Sequence, residues 1–319
     1  MQKKKHLIVG FTGGIGRATA KALSDRGEEV IAIARDSSKA AKYAEGLNIT
    51  VEIGNAADVN FLLNVTKGAD VLYYCINIPY PQWHSEAKKL LSVAIEVAIK
   101  NNLKLVFPGN VYVYGKPQFN PVTEAHPHFP NSVKGRIRDE MEKMLYHHSV
   151  QNGLNYVILR FPDFYGPYVI NGMYEKLFIN ALKGKKLSWY GNKNTLTEFI
   201  FIEDAGNAMA IVGLSDFHGS KIFNYPAHSP ISAKDFLQRV VKLSEKRGVV
   251  SFSNSLMLVK FAGIFNKMAH EFSEMMYLKQ EKLLLSGELF RTTFGKLNLT
   301  DYDTGILSTL KWAKNFYKL

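Results

Sequence analysis

Tyr112 and Lys116 form the only Tyr-x-x-x-Lys spacing in the chain, within VFPGNVYVYGKPQ at 106–118. In an active site, a lysine ammonium beside a tyrosine favours the ionised phenol and lets the tyrosine exchange a proton with a substrate. A helix would put both side chains on one face, but the residues around this pair do not suit a helix. NVYVYG alternates like extended chain, Gly115 interrupts the alternation, and Pro117 disfavours a helical Lys116. We therefore do not expect these two residues to act as a catalytic pair.

Three glycines near the start of the chain are spaced like a dinucleotide-binding loop. In VGFTGGIGRATAKAL, Gly10, Gly13 and Gly16 stand three residues apart, after an apolar run and before a helical pattern. Glycines allow a tight turn and a close approach of the backbone, and the N–H groups and dipole of the helix start attract a pyrophosphate. The alternative is a glycine-rich turn without a ligand, because such spacings also arise by chance. We predict that the cofactor contacts from this loop are made by Gly10, Thr12, Gly13, Gly14, Ile15, Gly16 and Arg17.

The end of the second predicted strand indicates which dinucleotide would bind. The stretch EVIAIARDSSKA places Arg35 where an acidic residue would hold the ribose 2′-hydroxyl of NAD, and an arginine there favours the 2′-phosphate of NADP. Arg17 and Lys39 would add positive charge. Asp36, one position later, is the competing candidate for the NAD contact. We predict NADP as the cofactor and NAD as the second choice.

Short apolar segments alternate with helical patterns in the first half of the chain. The strand-like segments, rich in β-branched or aromatic residues, cover 6–11, 29–34, 49–53, 70–76, 103–108 and 155–160. The helical patterns between them cover 15–26, 37–45, 58–66, 84–101 and 132–150. Such alternation predicts an α/β fold with a doubly wound parallel (Rossmann) sheet.

The sequence predicts a division into two domains. The first, at 1–165, is an NADP-binding Rossmann domain, and the second, at 166–319, is a smaller substrate-binding domain. A segment near 195–225 is expected to return to the Rossmann sheet, with the strand-like stretch at 197–202 as the returning strand. The Met- and Leu-rich segment at 255–290 is expected to be helical.

The composition bounds the class of protein. The 319 residues are 46% hydrophobic and 21% charged, and no apolar run approaches the ~20 residues of a membrane helix. The single cysteine, Cys75, excludes an intramolecular disulfide. The net charge of +12 lies in short scattered clusters, so we interpret it as a lysine-rich surface that suits an anionic nucleotide rather than a nucleic-acid site. We expect a cytoplasmic protein that binds no nucleic acid, membrane or metal.

Six stretches, taken in order, carry a family resemblance. They are GFTGGIG, EIGNAAD, ADVLYYCINIPY, VFPGNVYVYGKP, VILRFPDFYGPYV and TEFIFIEDAGNAM. The set resembles the extended short-chain dehydrogenase/reductase family, in its NAD-dependent epimerase/dehydratase branch, over nearly the whole chain. The resemblance implies a nucleotide domain and a smaller substrate domain with the site between them. It also implies an adenine contact by Asn55, where the family usually has an aspartate, with Ala56 beside it.

The same resemblance implies a catalytic Ser/Thr, Tyr and Lys. In the family the tyrosine is the acid/base, and the lysine lowers its pKa and holds the nicotinamide ribose. The serine or threonine aligns with Asn110. The tyrosine and lysine stand four residues apart on the helix after strand five, which HPHFPNSVKGRIRDEMEKML matches. We align Lys134 with the lysine and expect it to hold the ribose. That alignment leaves Pro130 at the tyrosine position, so the usual proton donor is missing.

Several polar residues are candidates to replace that tyrosine. Alternation would put Asn110, Tyr112 and Tyr114 on one face of an extended segment, and we rank Tyr112 first as the proton donor. Tyr80 and Asp163 are predicted to contact the substrate, Asp163 because the family often has a substrate-binding asparagine there. The weaker candidates lie beneath the expected nicotinamide or in the loop before the helix, and they are Tyr74, His126 and His128.

We predict an NAD(P)-dependent oxidoreductase or epimerase-like enzyme. It would exchange a hydride between NADP(H) and a carbonyl or alcohol carbon of a small substrate. The alternative is an NADP(H)-binding sensor or scaffold without catalysis, which the missing serine and tyrosine motivate. The polar residues of the cleft favour the enzyme. The family often forms dimers through a four-helix bundle, and helices 84–101 and 132–150 offer such a surface for a homodimer.

Overall fold

A seven-stranded parallel sheet lies at the centre of the molecule, with the strand order 3-2-1-4-5-6-11. The computed structural model describes residues 3–170, 172–255, 270–271 and 273–319. In those ranges the strands are β1 Lys5–Val9, β2 Glu29–Ala34, β3 Thr50–Ile53, β4 Val71–Tyr74, β5 Lys104–Asn110, β6 Tyr156–Phe161, β7 Asp163–Tyr165, β8 Leu187–Tyr190, β9 Leu196–Thr197, β10 Phe199–Phe201, β11 Lys221–Asn224, β12 Ile231–Ser232 and β13 Val250–Ser253.

Helices cover both faces of the sheet. In the described ranges they are α1 Gly14–Ser24, α2 Ser37–Ala44, α3 Val59–Val65, α4 Trp83–Lys100, α5 Val133–Asn152, α6 Tyr174–Leu182, α7 Ile202–Leu214, α8 Ala233–Leu243, α9 Glu288–Phe294 and α10 Tyr302–Tyr317. Helices α1 and α7 pack on one face and α4 and α5 on the other. The central strands β4 and β6 are buried at every position, as their unbroken apolar runs predict. The doubly wound α/β prediction is confirmed.

The second half of the chain adds a smaller cluster around buried aromatic rings. Short strands pair β7 with β10, β8 with β13 and β9 with β12. The rings of Phe199 and Phe236 lie 4.5 Å apart between their centroids, and α6, α8 and α10 pack around them. None of the helices in the described part of the chain is long and apolar enough to cross a membrane.

Two predictions about the second half need correction. Phe199–Phe201 pairs with β7 outside the central sheet, so the strand that returns to it from the 195–225 segment is β11 rather than 197–202. Of the predicted helix at 255–290, residues 256–269 and 272 lie outside the described residues. Met276–Lys279 forms a 3-10 turn and 281–287 is not helical. The domain division at 165 stays a prediction.

Candidate active site

The glycine loop joins β1 to α1 along a path that leaves no room for side chains. Gly10 has a φ of +80°, and a Cβ on it would lie 2.5 Å from the carbonyl carbon of Cys75. A Cβ on Gly16 would lie 2.5 Å from the Gly10 carbonyl oxygen. Gly13 caps α1 without a side-chain hydrogen bond, so the first N–H groups of the helix remain for a ligand. This backbone cradle fits a pyrophosphate, and three further predicted contacts lie in the same turn, namely Thr12, Gly14 and Ile15.

Arg35 is exposed at the end of β2, and no residue that the structure describes pairs with its guanidinium. Asp36, in contrast, is already in use as the N-cap of α2. Its carboxylate accepts hydrogen bonds from the Lys39 backbone N–H at 2.9 Å and the Ser38 hydroxyl at 2.8 Å. The backbone hydrogen bond from Lys39 is the main cause that lowers the pKa of Asp36. Arg35 is therefore the less committed of the two competing groups.

Arg17 and Asn55, two other residues predicted to contact the cofactor, also form contacts within the protein. Arg17 donates from Nε to the Tyr43 carbonyl oxygen at 2.9 Å, and its guanidinium carbon lies 3.9 Å from the centre of the Tyr168 ring. These contacts fasten α1 to the end of α2. Asn55 is exposed, and its side-chain oxygen accepts from the Ala57 backbone N–H at 3.0 Å. That bond leaves the amide N–H groups of Asn55 and the second lone pair of its oxygen for an adenine.

Helix α5 begins at Val133, within one residue of the start of the predicted helical pattern at 132–150. Ser132 is its N-cap and accepts from the Gly135 backbone N–H at 3.0 Å. Pro130 lies before the helix and does not share a helix face with Lys134, and the alignment of Lys134 with the family's lysine stays a prediction. Residues four apart share a face only within the helix. Lys134 and Arg138 have that spacing within the helix, and Arg138 contacts Phe107 and Pro108 of β5.

Lys134 is buried between aromatic and acidic groups. Its ammonium forms ion pairs with Glu271 and with Glu274, the latter at 2.6 Å. A carboxylate oxygen of Glu274 also accepts from the Val133 backbone N–H at 2.6 Å, so this residue closes over the start of α5. The Lys134 nitrogen lies 5.5 Å from the centre of the Tyr80 ring. Lys134 is thus a buried ammonium held by two carboxylates beside a phenol.

Arg138 lies one helical turn further on, among aromatic rings. Its guanidinium carbon is 4.8 Å from the centre of the Trp83 ring and 5.4 Å from that of Phe107. Its Nη1 approaches the Pro108 carbonyl oxygen at 3.4 Å, which is a long hydrogen bond. Burial lowers the pKa of Arg138, which is the response expected of a cation without full compensation.

Tyr112 lies in a 3-10 turn at Val111–Tyr114, so the predicted extended segment is wrong. The turn forms because the Asn110 side-chain oxygen accepts from the Tyr112 backbone N–H at 3.1 Å. Tyr114 consequently points elsewhere and donates to the Asn224 side-chain oxygen at 2.7 Å. The Tyr112 hydroxyl lies 2.9 Å from that of Tyr80. Burial raises the pKa of both phenols, so this pair is protonated at neutral pH.

Lys116, the lysine of the Tyr-x-x-x-Lys spacing that begins at Tyr112, lies on the surface. Its side chain is 67% exposed and pairs with Glu281. Tyr112 therefore shares its hydroxyl hydrogen bond with Tyr80 and not with Lys116.

Asp163 is part of a buried group of three residues. Its carboxylate forms an ion pair with Lys279 and accepts from the Tyr174 hydroxyl at 2.7 Å. Burial raises the pKa of Asp163, but the Lys279 ammonium and these hydrogen bonds outweigh it and lower the pKa below its ordinary value. The predicted substrate-binding carboxylate is thus already paired within the protein.

The loop histidines belong to a structural network. The Nη2 group of Arg160 lies 2.7 Å from Nε2 of His128, and Nδ1 of His128 lies 2.6 Å from the Asp139 carboxylate. Since the guanidinium can only donate, Nε2 accepts and Nδ1 carries the proton. Arg160 also forms a buried ion pair with Glu142, which fastens α5 to β6. His126 accepts the Gln118 backbone N–H at 3.0 Å through its Nε2. These contacts account for both histidines without a substrate.

The structure adds three residues that the sequence analysis did not select. Arg138 had a visible signal, since it follows Lys134 by four residues in one helical pattern. Glu274 and Lys279 had none, because they meet Lys134 and Asp163 across more than 100 residues of chain.

Comparison with known proteins gives a family and several relatives. The model of the NAD dependent epimerase/dehydratase family matches residues 6–224. A UDP-N-acetyl-alpha-D-glucosaminuronate decarboxylase of Bacillus cytotoxicus is 25% identical over 260 residues, which are 76% of this chain and 81% of that protein. The structure of a UDP-N-acetylglucosamine 4-epimerase from Methanobrevibacter ruminantium in complex with UDP-N-acetylmuramic acid covers 100% of both chains, with a TM-score of 0.80 at 19% identity. The structure of Thermus thermophilus UDP-glucose 4-epimerase in complex with NAD covers 97% of this chain and 99% of its own, with a TM-score of 0.78 at 16% identity.

Proposed function

The chain belongs to the NAD-dependent epimerase/dehydratase family, and on that premise we propose that it exchanges a hydride between a nicotinamide dinucleotide and a carbonyl or alcohol carbon of a small substrate. Membership confirms the resemblance seen in the sequence and the prediction of an NAD(P)-dependent enzyme of this type. The observation that carries the proposal is that the glycine loop and the polar groups of the cleft lie at the same edge of the sheet, where the strands end. The glycine cradle follows β1, while Lys134, Arg138 and the Tyr80–Tyr112 pair lie around the ends of β4 and β5.

The residues of the nucleotide half would hold the cofactor mainly through the backbone. Gly10, Gly13 and Gly16 let the N–H groups at the start of α1 reach the pyrophosphate. Asn55, with Ala56 beside it, would face the adenine. When bound, the nicotinamide ring supplies or accepts the hydride.

We propose NADP as the preferred dinucleotide, with NAD as the second choice. Arg35 supports this choice because it is exposed and uncommitted among the described residues, whereas Asp36 is used as a helix cap. A guanidinium is a strong partner for a phosphate because it forms charge-assisted, often paired hydrogen bonds.

Two groups in the cleft can hold the proton that accompanies the hydride. The Lys134 ammonium lies 5.5 Å from the centre of the Tyr80 ring, and the Tyr112 hydroxyl lies 2.9 Å from the Tyr80 hydroxyl. Asn110 uses its side-chain oxygen in the turn, which leaves its amide N–H groups to orient a substrate oxygen. Tyr80 and the Asp163–Lys279–Tyr174 group would contact the rest of the substrate. Proton transfer from a positioned side chain contributes about 10²–10⁴-fold to a rate.

The test begins with fluorescence titrations of the purified protein with NADPH and NADH in parallel. We expect clearly tighter binding of NADPH. The second step offers NADPH deuterated at the reactive carbon to a panel of carbonyl compounds, with mass spectrometry of the products. The panel begins with oxidised UDP-sugars, because the relatives are named for UDP-sugars. We expect deuterium in at least one product. A folded protein that binds neither dinucleotide contradicts the proposal.

The second candidate function is an NADP(H)-binding sensor or scaffold. Its support is that the protein already pairs the charges of Lys134 and Asp163 with its own residues. It predicts dinucleotide binding that changes association with a partner, and no transfer of deuterium to any carbonyl. A homodimer through α4 and α5 and a cytoplasmic location stay predictions from the sequence.

A further inference from the structure

Arg138 is a cation whose hydrogen-bonding groups the protein does not use up. Its Nε is buried and has no hydrogen-bond partner in the described part of the chain. Its closest acceptor for Nη1, the Pro108 carbonyl oxygen, is 3.4 Å away. A guanidinium carries five N–H donors, and burying a donor without an acceptor is costly. A bound ligand with oxygen acceptors would remove that cost.

A cavity of about 10 Å³, which is room for one water molecule or one hydroxyl group, adjoins this guanidinium at the carboxyl end of β4. Its lining consists of Tyr74, Ile76, Asn77, Ile78, Trp83 and Arg138, together with neighbouring side chains of α4 and α5. Ligands of doubly wound sheets bind at the carboxyl ends of the strands. Strands β1 and β4 are neighbours, and the Cys75 backbone N–H, just after β4, donates to the Val9 carbonyl oxygen at 2.8 Å. A dinucleotide whose pyrophosphate lies on the glycine loop therefore has its second half close to this cavity.

Lys134 is less available than Arg138 to a cofactor. Glu271 and Glu274 both contact its ammonium, whereas Arg138 faces mainly rings. A ribose presents two adjacent hydroxyl oxygens to one guanidinium. The different surroundings of the two cations suit different roles, one in binding the cofactor and one towards the substrate.

We propose that Arg138, and not Lys134, binds the nicotinamide ribose of the dinucleotide, and that Lys134 holds the proton exchanged with the substrate. The inference rests on the proposed function. In a reduction, the carbonyl carbon gains the hydride with its electron pair, and the carbonyl oxygen takes a proton from Nζ of Lys134. One N–H bond breaks as one O–H bond forms, and the neutral amine regains a proton from water. In an oxidation the same steps run in reverse.

The experiment compares the whole dinucleotide with a fragment that lacks the nicotinamide ribose. Wild type, Arg138→Met, Lys134→Met and Arg136→Met are titrated with NADPH and, by competition, with 2′,5′-ADP. We expect Arg138→Met to weaken NADPH binding about tenfold or more, because it removes charged hydrogen bonds, and to leave 2′,5′-ADP binding unchanged. Arg136→Met removes an exposed cation from the same helix and is the matched control, with both affinities unchanged. Lys134→Met should keep NADPH binding within about threefold of wild type.

The opposite pattern, with NADPH binding weakened by Lys134→Met and retained by Arg138→Met, would overturn the inference. If Arg138→Met does not fold, Arg138→Lys decides in its place, because it keeps the charge but loses the paired donors. It should weaken NADPH binding and not 2′,5′-ADP binding. Wild-type protein that binds neither NADPH nor NADH contradicts the proposed function itself. Wild-type binding with an Arg138 variant that loses nothing contradicts this inference alone.

Discussion

The two ends of the cleft differ in the groups that would meet a dinucleotide. At the glycine loop these are backbone N–H groups, and Gly10 and Gly16 leave no space for a side chain. On α5 they are side chains, and we propose that Lys134 and Arg138 take these roles. A backbone site does not tolerate the replacement of single residues, because the path of the chain needs each glycine. A side-chain site can exchange one proton carrier for another while the cofactor site stays the same.

The cations of the cleft also differ between the proposed cofactor side and the proposed substrate side. Arg35 and Arg138 have few or no acceptors among the described residues, and both lie where we propose that the cofactor binds. Lys134 and Lys279 form ion pairs with carboxylates, and both lie on the proposed substrate side. The unpaired cations suit the anionic and hydroxyl groups of a dinucleotide. The paired ones offer a substrate a polar surface without a large net charge.

The largest effect on activity should follow from Lys134→Arg. An arginine keeps the positive charge beside Glu271 and Glu274 but does not release its proton at neutral pH. If Lys134 holds the exchanged proton, transfer of deuterium from labelled NADPH should fall by about 10²–10⁴-fold while NADPH binding remains. The control is Lys116→Arg, which makes the same change in an exposed residue that pairs with Glu281. Full activity in Lys134→Arg would show that only its charge matters.

The next largest effect should follow from Gly10→Ala. Its left-handed φ of +80° costs an alanine about 1–2 kcal/mol, and the contact with Cys75 adds about 1–3 kcal/mol of overpacking. Chemical denaturation should show this loss of unfolding free energy, and dinucleotide binding should be lost with it. Gly27→Ala is the matched control, because Gly27 has a φ of +73° with nothing within 4 Å of its added Cβ. Equal losses in the two variants would mean that the loop is not tightly built.

A smaller and more selective effect is expected of Arg35→Ser. The variant should weaken NADPH binding about tenfold, because a charged contact with the 2′-phosphate is lost, and should leave NADH binding unchanged. Fluorescence titrations at low and high salt measure both affinities, and the difference between the two dinucleotides should shrink at high salt. Lys39→Ser removes the neighbouring exposed cation and should have a smaller effect. Equal weakening of NADPH and NADH would assign Arg35 to a role other than the 2′-phosphate.

The sequence predicts the backbone part of this comparison better than the side-chain part. Glycine spacing and apolar runs are local signals, so the loop after β1 and the central strands are visible without a structure. The helical pattern at 132–150 matches α5, but the carboxylates of Glu271 and Glu274, which hold Lys134, come from a distant part of the chain. The turn at Tyr112 depends on one side-chain hydrogen bond from Asn110, which breaks an alternation that otherwise predicts extended chain. The pairing of Asp163 with Lys279 joins residues 116 positions apart, a contact that one sequence cannot reveal.

The smallest effect should follow from Tyr112→Phe, and it separates the two candidate proton donors. The change keeps the ring and removes the hydroxyl that lies 2.9 Å from Tyr80. If Lys134 donates the proton, only one neutral hydrogen bond is lost, and transfer of deuterium should fall about fivefold or less. Because burial raises the pKa of Tyr112 well above its ordinary value, the phenol stays protonated, and the rate profile between about pH 6 and pH 9 should keep its shape. Tyr80→Phe removes the same hydrogen bond from its other end, so equal small losses in the two variants mean that the bond only positions the site. A collapse of activity in Tyr112→Phe alone would make Tyr112 the donor and return Lys134 to a role in binding.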